Sequence, residues 1–440
     1  MEVFRTYLAE AVGQDRADRV LEALSEAAPV AVRLHPGKPG ADFPGAAPVP
    51  WNPLGRVLTQ RPSFTLDPLL HAGAYYVQDS SAQFVGQVAR GYIAAGPRPL
   101  RVLDLCAAPG GKTTDLAASL RAVCGDRFLL VANEVMRQRA TVLADNVGRW
   151  GDPCVFVTSV DPAAFAALPG YFDLIVADVP CSGEGMFRKD PEALRQWSPE
   201  NVSLCAARQR RIVADVWDAL APQGILVYST CTFNRYENDG NVRWIADTLG
   251  AEVLPLSADF PGLVATQCGV SLLPGFVPGE GQYCAALRKG EGKAWKAPRE
   301  ARRPAVASPA WTLFDRPVKV LQRSDIFVAV PEVIAAEAAV LESLRPLSMG
   351  TAVGTYKGKD LVPHADLALS LALRKDAFPA VGVDRETALR FLHRDTVTLQ
   401  APKGLVLLTY GGLPLGFVKN LGTRCNNLLP QHRRIRMDVV

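Results

Sequence analysis

The sequence lacks any apolar run near the ~18 residues that a membrane-spanning helix needs. Its first residues include Glu2, Arg5 and Glu10, which do not fit a secretory signal peptide. The net charge is only +4 over 440 residues, so the whole chain is not a polycation. These absences favour a cytoplasmic protein of two or more globular domains, without a membrane partner.

Metal-ligand spacing is also missing. Of the nine cysteines no two lie within four residues of each other, and no His-x-x-x-His pair accompanies them. A zinc site therefore finds no support, and we expect no metal ion. An odd number of cysteines without a secretory signal favours reduced thiols, most of which should simply pack in the core.

The middle of the chain alternates short apolar strands with amphipathic helices. Strands are predicted at 101–105, 129–133, 155–158, 172–178 and 225–230, and helices at 113–123, 136–150 and 204–220. This alternation predicts an α/β fold with a parallel sheet covered on both faces. Ligands of such sheets bind at the carboxyl ends of the strands.

The flanking regions are less regular. Short helices are predicted within 1–30, before a stretch rich in Pro and Gly. The segment 289–304 holds six basic and two acidic residues, and should be mobile or face RNA. Further along, helices are predicted at 331–344 and 384–392, and strands at 396–399 and 405–410.

A Gly-rich turn follows the first predicted strand. Its residues are Cys106, Ala107, Ala108, Pro109, Gly110, Gly111 and Lys112. The turn lacks both the three-glycine dinucleotide fingerprint and the phosphate-loop pattern, but it leaves room for a ligand beside helix N-terminal amides. Glu134 and Asp161 follow the next two strands, where carboxylates can bind ribose hydroxyls and an adenine amine. Together these residues predict a site for a nucleoside cofactor.

Two cysteines come just after strands, Cys181 in Asp178-Val-Pro-Cys-Ser-Gly and Cys231 in Ser-Thr-Cys-Thr. Cytosine C5 is not nucleophilic until a group adds to C6, and a thiolate is the best side chain for that addition. We expect Cys231 to add, Asp178 to hydrogen-bond or protonate N3, and Cys181 to assist removal of the C5 proton.

Four motifs of this sequence resemble those of a known family, the RNA cytosine-5 methyltransferases (the NOL1/NOP2/sun group). In order along about residues 70–290 they are Tyr75–Ser81, Asp104–Lys112, Asp178–Gly185 and Tyr228–Thr232. The resemblance implies a class I (Rossmann-like) fold that uses S-adenosylmethionine. It also implies that the Thr-Cys-Thr cysteine attacks the base, and that the Pro-Cys cysteine aids product release.

Carried over residue by residue, the resemblance makes Cys231 the nucleophile and Cys181 the release residue. Cofactor contacts are implied for Cys106–Lys112, Glu134, Asp161 and Asp178. DNA cytosine-5 enzymes use the Pro-Cys cysteine as nucleophile, so the reverse assignment of the two thiols stays open.

The C-terminal run Leu415–Pro430 resembles the tail of bacterial members that methylate 16S ribosomal RNA, which implies a PUA-like RNA-binding domain. Between Lys419 and Arg436 the sequence has five Lys or Arg residues and no Asp or Glu, the pattern expected of a surface that contacts phosphates. The predicted RNA-binding residues are Lys419, Arg424, Arg433, Arg434 and Arg436. Near the N-terminus, Arg33-Leu34-His35 replaces the family's usual Arg-x-Asn, so an RNA contact is not expected there.

Five domains are predicted on this basis. They are an N-terminal RNA-binding or accessory domain at 1–95, the methyltransferase catalytic domain at 96–288, a basic linker at 289–310, a pre-PUA RNA-binding domain at 311–375 and a PUA-like RNA-binding domain at 376–440. Transfer RNA is an alternative substrate. An RNA-binding assembly factor with secondary or lost methylation is an alternative function, whereas a methyltransferase for small molecules or proteins leaves the two cysteines unexplained.

Overall fold

The computed structural model describes residues 2–296, 309–358 and 360–438, and these residues form four β-sheets. The first is a small antiparallel sheet of order β2-β3-β1-β4. Its region contains helices α1 (Glu2–Val12), α2 (Gln14–Ala23), α3 (Pro68–Ala72) and α4 (Phe84–Arg90), and strands β1 (Val30–Leu34), β2 (Ala47–Val49), β3 (Asn52–Leu58) and β4 (Tyr75–Val77).

The second sheet is the largest. Its strands are β5 (Leu100–Asp104), β6 (Phe128–Asn133), β7 (Val155–Thr158), β8 (Phe172–Asp178), β9 (Leu220–Thr230), β10 (Ala251–Leu254), β11 (Leu263–Ala265), β12 (Val270–Leu272) and β13 (Gln282–Lys289). The intervening helices are α5 (Gly111–Cys124), α6 (Arg137–Trp150), α7 (Pro191–Gln196), α8 (Pro199–Trp217) and α9 (Asp239–Leu249).

The strand order of this sheet is β11-β12-β13-β9-β8-β5-β6-β7, with β10 also pairing with β13. Strands β5 to β9 are parallel to one another, and β13 is antiparallel to β9. Every residue of β6 is buried, as expected for a strand covered on both faces. The five strands predicted here are confirmed, with β9 starting five residues earlier than expected.

Two further four-stranded sheets follow. The third contains β14 (Val318–Arg323), β15 (Ile326–Pro331), β16 (Thr351–Lys357) and β17 (Asp360–Pro363), with helices α10 (Ala335–Leu341) and α11 (Ala365–Leu369). The fourth contains β18 (Ala380–Gly382), β19 (Gly404–Tyr410), β20 (Leu413–Asn420) and β21 (Cys425–Asn427), with helix α12 (Arg385–His393).

Near the C-terminus, the predicted helix cap is confirmed and one predicted strand is wrong. Asp384 caps α12 by accepting a hydrogen bond from Thr387 N at 2.8 Å, as its sequence position predicts. The strand predicted at 396–399 is wrong. Val397 and Leu399 are buried there, but only one backbone hydrogen bond is seen, from Cys425 N to Val397 O. Burial alone produced the strand-like alternation of that segment.

The helix predicted at 331–344 is interrupted. Pro331 ends β15, and only Ala335–Leu341 is α-helical, with a single 3₁₀ turn on each side. The basic linker also differs from expectation at its start. Lys289 completes β13, and the Trp295 ring packs on Tyr171 at 5.0 Å between centroids. The rest of the linker, 297–308, lies outside the described residues.

The N-terminal and C-terminal regions share one hydrophobic core. Val32, Phe64 and Tyr75 lie in the same cluster as Phe391 and Ile435, although more than three hundred residues separate Tyr75 from Phe391. The first and last parts of the chain therefore fold against each other rather than as independent attachments to the central sheet.

An ion-pair junction joins this assembly to the central sheet. Arg433 is buried and bonds Asp145 of α6 at 2.5 Å and Asp366 of α11 at 2.6 Å. The prediction that Arg433 contacts RNA is therefore corrected, because its guanidinium is committed to two carboxylates inside the protein. A buried, doubly paired arginine is a structural element of the domain junction.

Candidate active site

Chemically active side chains gather at the carboxyl edge of the central sheet. Asp104 and Asp178 end β5 and β8, and Glu134 and Cys231 come directly after β6 and β9. Because these strands are parallel, their carboxyl ends lie at one edge. The fold thus brings together the cofactor and base-attack residues that the sequence predicted.

The Gly-rich turn connects β5 to α5. Gly110 has φ of 115°, a backbone conformation that disfavours any side chain, and Gly111 begins the helix. The carbonyl of Pro109 accepts hydrogen bonds from Tyr76 OH at 3.0 Å and Asn146 Nδ2 at 2.8 Å. The turn is thereby held open at the N-terminus of α5.

Asp104 lies under this turn and is fully buried. Its Oδ2 accepts from Thr113 Oγ1 at 2.6 Å, whereas Oδ1 has no hydrogen-bond partner in the described part of the chain. Burial raises the pKa of Asp104 to about 7. An orphaned buried carboxylate oxygen is a place for a polar or cationic ligand atom.

The next two carboxylates differ in their surroundings. Glu134 is buried, accepts from Met136 N at 2.9 Å and pairs with Arg139 at 3.2 Å. Asp161 is exposed and caps a 3₁₀ turn by accepting from Ala163 N at 3.0 Å. Glu134 is thus fixed in position, and Asp161 has one oxygen engaged by the backbone.

Asp178 accepts hydrogen bonds from three side chains of the site. Its Oδ2 bonds Lys112 Nζ at 2.8 Å, and its Oδ1 accepts from Ser229 Oγ at 2.8 Å and Gln282 Nε2 at 2.9 Å. Burial alone would lower the pKa of Lys112, but Asp178 and then Cys231 favour its charged form and raise it. Lys112 thus joins the Gly-rich turn to Asp178.

The two thiols predicted to react lie side by side. Cys181 Sγ and Cys231 Sγ are 3.1 Å apart, and each residue is half-buried. The hydrogen bond with Cys231, followed by burial, raises the pKa of Cys181 well above its usual range. Cys181 is therefore held as a neutral thiol, a form that can carry a proton beside Cys231.

Cys106 in the turn is also a thiol near this edge, but burial raises its pKa strongly. Cys124, Cys154, Cys205, Cys284 and Cys425 are buried. Cys106 is half-buried in the turn, and we infer that it lines the turn without reacting.

Several site residues escaped the sequence analysis. Ser229 and Gln282 position Asp178, and Gln282 comes from a strand more than one hundred residues further along. Glu184 and Glu237 are buried and accept hydrogen bonds from the backbone that follows the two thiols. The sequence does show a glutamate a few residues after each cysteine. Only the pairing of β8 with β9 in the structure shows that the segments carrying these two glutamates lie close together.

Four of the basic residues predicted to bind RNA are exposed on the C-terminal domain, namely Lys419, Arg424, Arg434 and Arg436. Arg33, near the N-terminus, is fully buried. It donates from Nε to Gln78 at 2.9 Å and from its Nη2 to Thr114 Oγ1 at 2.5 Å and to the Gly111 carbonyl at 3.2 Å. It supports the start of α5 rather than facing a ligand.

Within the described ranges, no helix has the length and apolar character needed to cross a bilayer. In the same residues, no group of three or more His, Cys, Asp and Glu side chains is placed to hold a metal ion.

Three family models match separate parts of the chain. The model described as 16S rRNA methyltransferase RsmB/F matches 97–288, the N-terminal domain of 16S rRNA methyltransferase RsmF matches 2–80, and the RsmF PUA domain matches 378–435. The matched ranges correspond to the central sheet, the first sheet and the fourth sheet of the structure.

Solved structures agree with the sheet topology. A methyltransferase homolog from Pyrococcus horikoshii is 26% identical with a TM-score of 0.55, covering 66% of this chain and 95% of that one. NSun6 from the same organism, solved with SFG, an analogue of S-adenosylmethionine, has a TM-score of 0.53 at 17% identity, over 65% of this chain and 97% of that one. At that identity, NSun6 supports the fold alone. Fold and site together define an S-adenosylmethionine-dependent methyltransferase.

Sequence relatives are more specific. The ribosomal RNA small subunit methyltransferase F of Escherichia coli strain UMN026 is 35% identical over 383 residues, which cover 82% of this chain and 78% of that protein. The protein of the same name from Enterobacter sp. strain 638 is 32% identical over 383 residues, covering 82% and 77%. The chain belongs to the RsmF branch of the RsmB/F methyltransferase family.

Proposed function

We propose that this protein transfers a methyl group from S-adenosylmethionine to C5 of a cytosine in 16S ribosomal RNA, in the cytoplasm. The observation that carries the proposal is the pair of thiols 3.1 Å apart, which follow the paired strands β8 and β9 at the edge where Asp178 ends β8. The relatives named as methyltransferases of small-subunit ribosomal RNA support this choice of substrate.

The residues at the sheet edge fit the cofactor. The turn Cys106–Lys112 offers small residues at a helix N-terminus, and the unpartnered Oδ1 of Asp104 is free to accept a hydrogen bond from an ammonium group. Glu134 is held where it can bind ribose hydroxyls, and Asp161 and Asp178 border the same edge. The cofactor supplies an electrophilic methyl group when it is bound.

The target cytosine must leave its helix or be unpaired to reach this site. The Cys231 thiolate then forms a bond to C6. Asp178 hydrogen-bonds or protonates N3, so that the charge developing on the ring is stabilised. The Lys112 ammonium donates to Asp178 at 2.8 Å and so holds that carboxylate at the reacting edge.

Adding the methyl group leaves C5 with a proton that must be removed before Cys231 can depart. Cys181 is adjacent to Cys231. In this step its thiol has first given its proton to solvent, and the resulting Cys181 thiolate accepts the C5 proton. When the C5 proton is lost, the C6–S bond breaks and the aromatic ring is restored. In this scheme each thiol has a different step, attack for Cys231 and release for Cys181.

The two thiols can be separated by experiment. We expect Cys231→Ala to abolish methylation of 16S ribosomal RNA, measured with radiolabelled cofactor. Cys181→Ala should leave a covalent protein–RNA adduct that survives a denaturing gel. The opposite pattern would assign attack to Cys181, and bisulfite mapping of ribosomal and transfer RNA in a strain lacking the gene identifies the substrate.

A further inference from the structure

Two buried carboxylates connect the chain after Cys181 with the chain after Cys231. We name residues 181–187 the Cys181 loop and residues 231–238 the Cys231 loop. Glu184 lies in the first loop and Glu237 in the second, and both are buried, with relative exposures of 1% and 0%. Each carboxylate reaches into the loop that it does not belong to.

Glu237 holds the Cys181 loop. Its Oε2 accepts from Ser182 N, the amide directly after Cys181, at 3.0 Å. The same oxygen accepts from Gln209 Nε2 at 2.6 Å, and Gln209 also donates to the Pro180 carbonyl at 3.0 Å. Glu237 is thus tied to the backbone on both sides of Cys181.

Glu184 holds the Cys231 loop. Its Oε2 accepts from Phe233 N at 2.6 Å and Asn234 N at 3.1 Å, the amides two and three residues after Cys231. The next residue, Gly185, donates its amide to the Cys231 carbonyl at 2.8 Å. A Cβ at Gly185 would lie only 2.7 Å from that carbonyl, so the two loops are in close contact.

This arrangement is costly for a purely structural contact. In the described residues, every hydrogen-bond donor to either carboxylate is uncharged. Burial raises the pKa of Glu237, and the negative charge of Glu184 makes a smaller contribution in the same direction. Burying an acid without a cation is unfavourable unless directed donors compensate. Three of these seven bonds come from backbone amides of the two loops, and the other four come from the side chains of Gln209, Trp197 and Asn234. Together they fix the relative position of the two loops that carry the sulfurs.

We propose that Glu237 and Glu184 are positioning residues, in which each carboxylate holds the thiol of the opposite loop in place for its own step. Glu237 orients Cys181 for release, and Glu184 orients Cys231 for attack. This inference rests on the proposed function, because only a two-thiol reaction gives the loops separate steps.

The roles predict opposite adduct phenotypes. On 16S ribosomal RNA with the cofactor, Glu237→Ala should accumulate the covalent adduct, like Cys181→Ala. Glu184→Ala should form little adduct, like Cys231→Ala. We expect both to reduce kcat by about 10- to 100-fold, with KM for RNA nearly unchanged, since small displacements of reacting groups cost rates of that size. Glu237→Gln and Glu184→Gln should recover part of kcat, because the amide oxygen still accepts from the loop.

Thermal unfolding separates this effect from loss of folded protein. Glu337→Ala is a matched control, because Glu337 is a buried carboxylate that pairs with Arg101 at 3.5 Å away from the thiols. The kcat of the Glu337→Ala variant should decrease only in proportion to the loss of folded protein. The inference is overturned if Glu237→Ala and Glu184→Ala give the same adduct level, or lose activity only in proportion to unfolding. The proposed function itself has a separate test. It fails if the Cys231→Ala variant still methylates the RNA.

Discussion

Charged residues cluster in two regions, at the carboxyl edge of the central sheet and in the basic C-terminal tail, and the fold treats the two clusters differently. Asp104, Glu134 and Asp178 come from separate strands and meet at one edge. The neighbours Arg433 and Arg434 diverge, the first buried between carboxylates and the second exposed. Parallel strands determine where their ends lie, whereas a run of charges in a loop does not determine which side chains face solvent.

The largest effect should come from breaking the sheet-edge cluster. Asp178→Ala removes the shared acceptor of Lys112, Ser229 and Gln282, together with the interaction with the base. We expect methylation to fall by about 100-fold or more, the usual range for removal of an acid–base group. Asp173→Ala, at the other end of the same strand, should retain activity. Equal losses in both variants would contradict the assignment of Asp178.

The next effect contrasts the two adjacent arginines. Arg433→Ala removes the buried cation shared by Asp145 and Asp366, although Arg149 still pairs with Asp145 at 2.8 Å, and should lower the free energy of unfolding by about 3 kcal/mol. Arg434→Ala changes an exposed side chain and should stay within about 0.5 kcal/mol. Denaturant unfolding measures both. Similar values for the two variants would show that Arg433 is not a junction residue.

The pH dependence of stability tests the environment of Asp104. Its pKa rises from 3.8 to about 7 on folding, so the folded state holds the proton more tightly than the unfolded state. Stability of the cofactor-free protein should therefore decrease as pH rises from about 4 to 7. Asp104→Asn removes this dependence. The thermal midpoint of the variant minus that of the wild type should therefore increase as pH rises. Parallel pH profiles for the two proteins would refute a buried, protonated Asp104.

The smallest effect concerns the exposed tail. If Lys419 or Arg434 binds a phosphate, its replacement with Ala should reduce the slope of log binding constant against log salt concentration by about 1. Binding to 16S ribosomal RNA at several salt concentrations gives this slope. Arg5→Ala, an exposed residue paired with Asp18 at 2.6 Å, serves as the control. An unchanged slope would remove that residue from the RNA-binding surface.

The sequence predicted the regular parts of the molecule well. Apolar runs located the central strands, and strand ends located Asp178, Cys181 and Cys231 at one edge. It could not place Gln282 beside Asp178, because that contact depends on the antiparallel addition of β13 next to β9. Nor could it show that Arg433 is buried, since nothing local indicates that Asp145 and Asp366 converge there.

The core shared by the two ends of the chain has a consequence for biosynthesis. Val32 and Tyr75 are made early, but their partners Phe391 and Ile435 are among the later residues to leave the ribosome. The N-terminal region therefore cannot complete its packing until the chain as far as Ile435 has been made. Such long-range closure slows folding and leaves apolar surface exposed meanwhile, so chaperones should matter most for this half of the molecule.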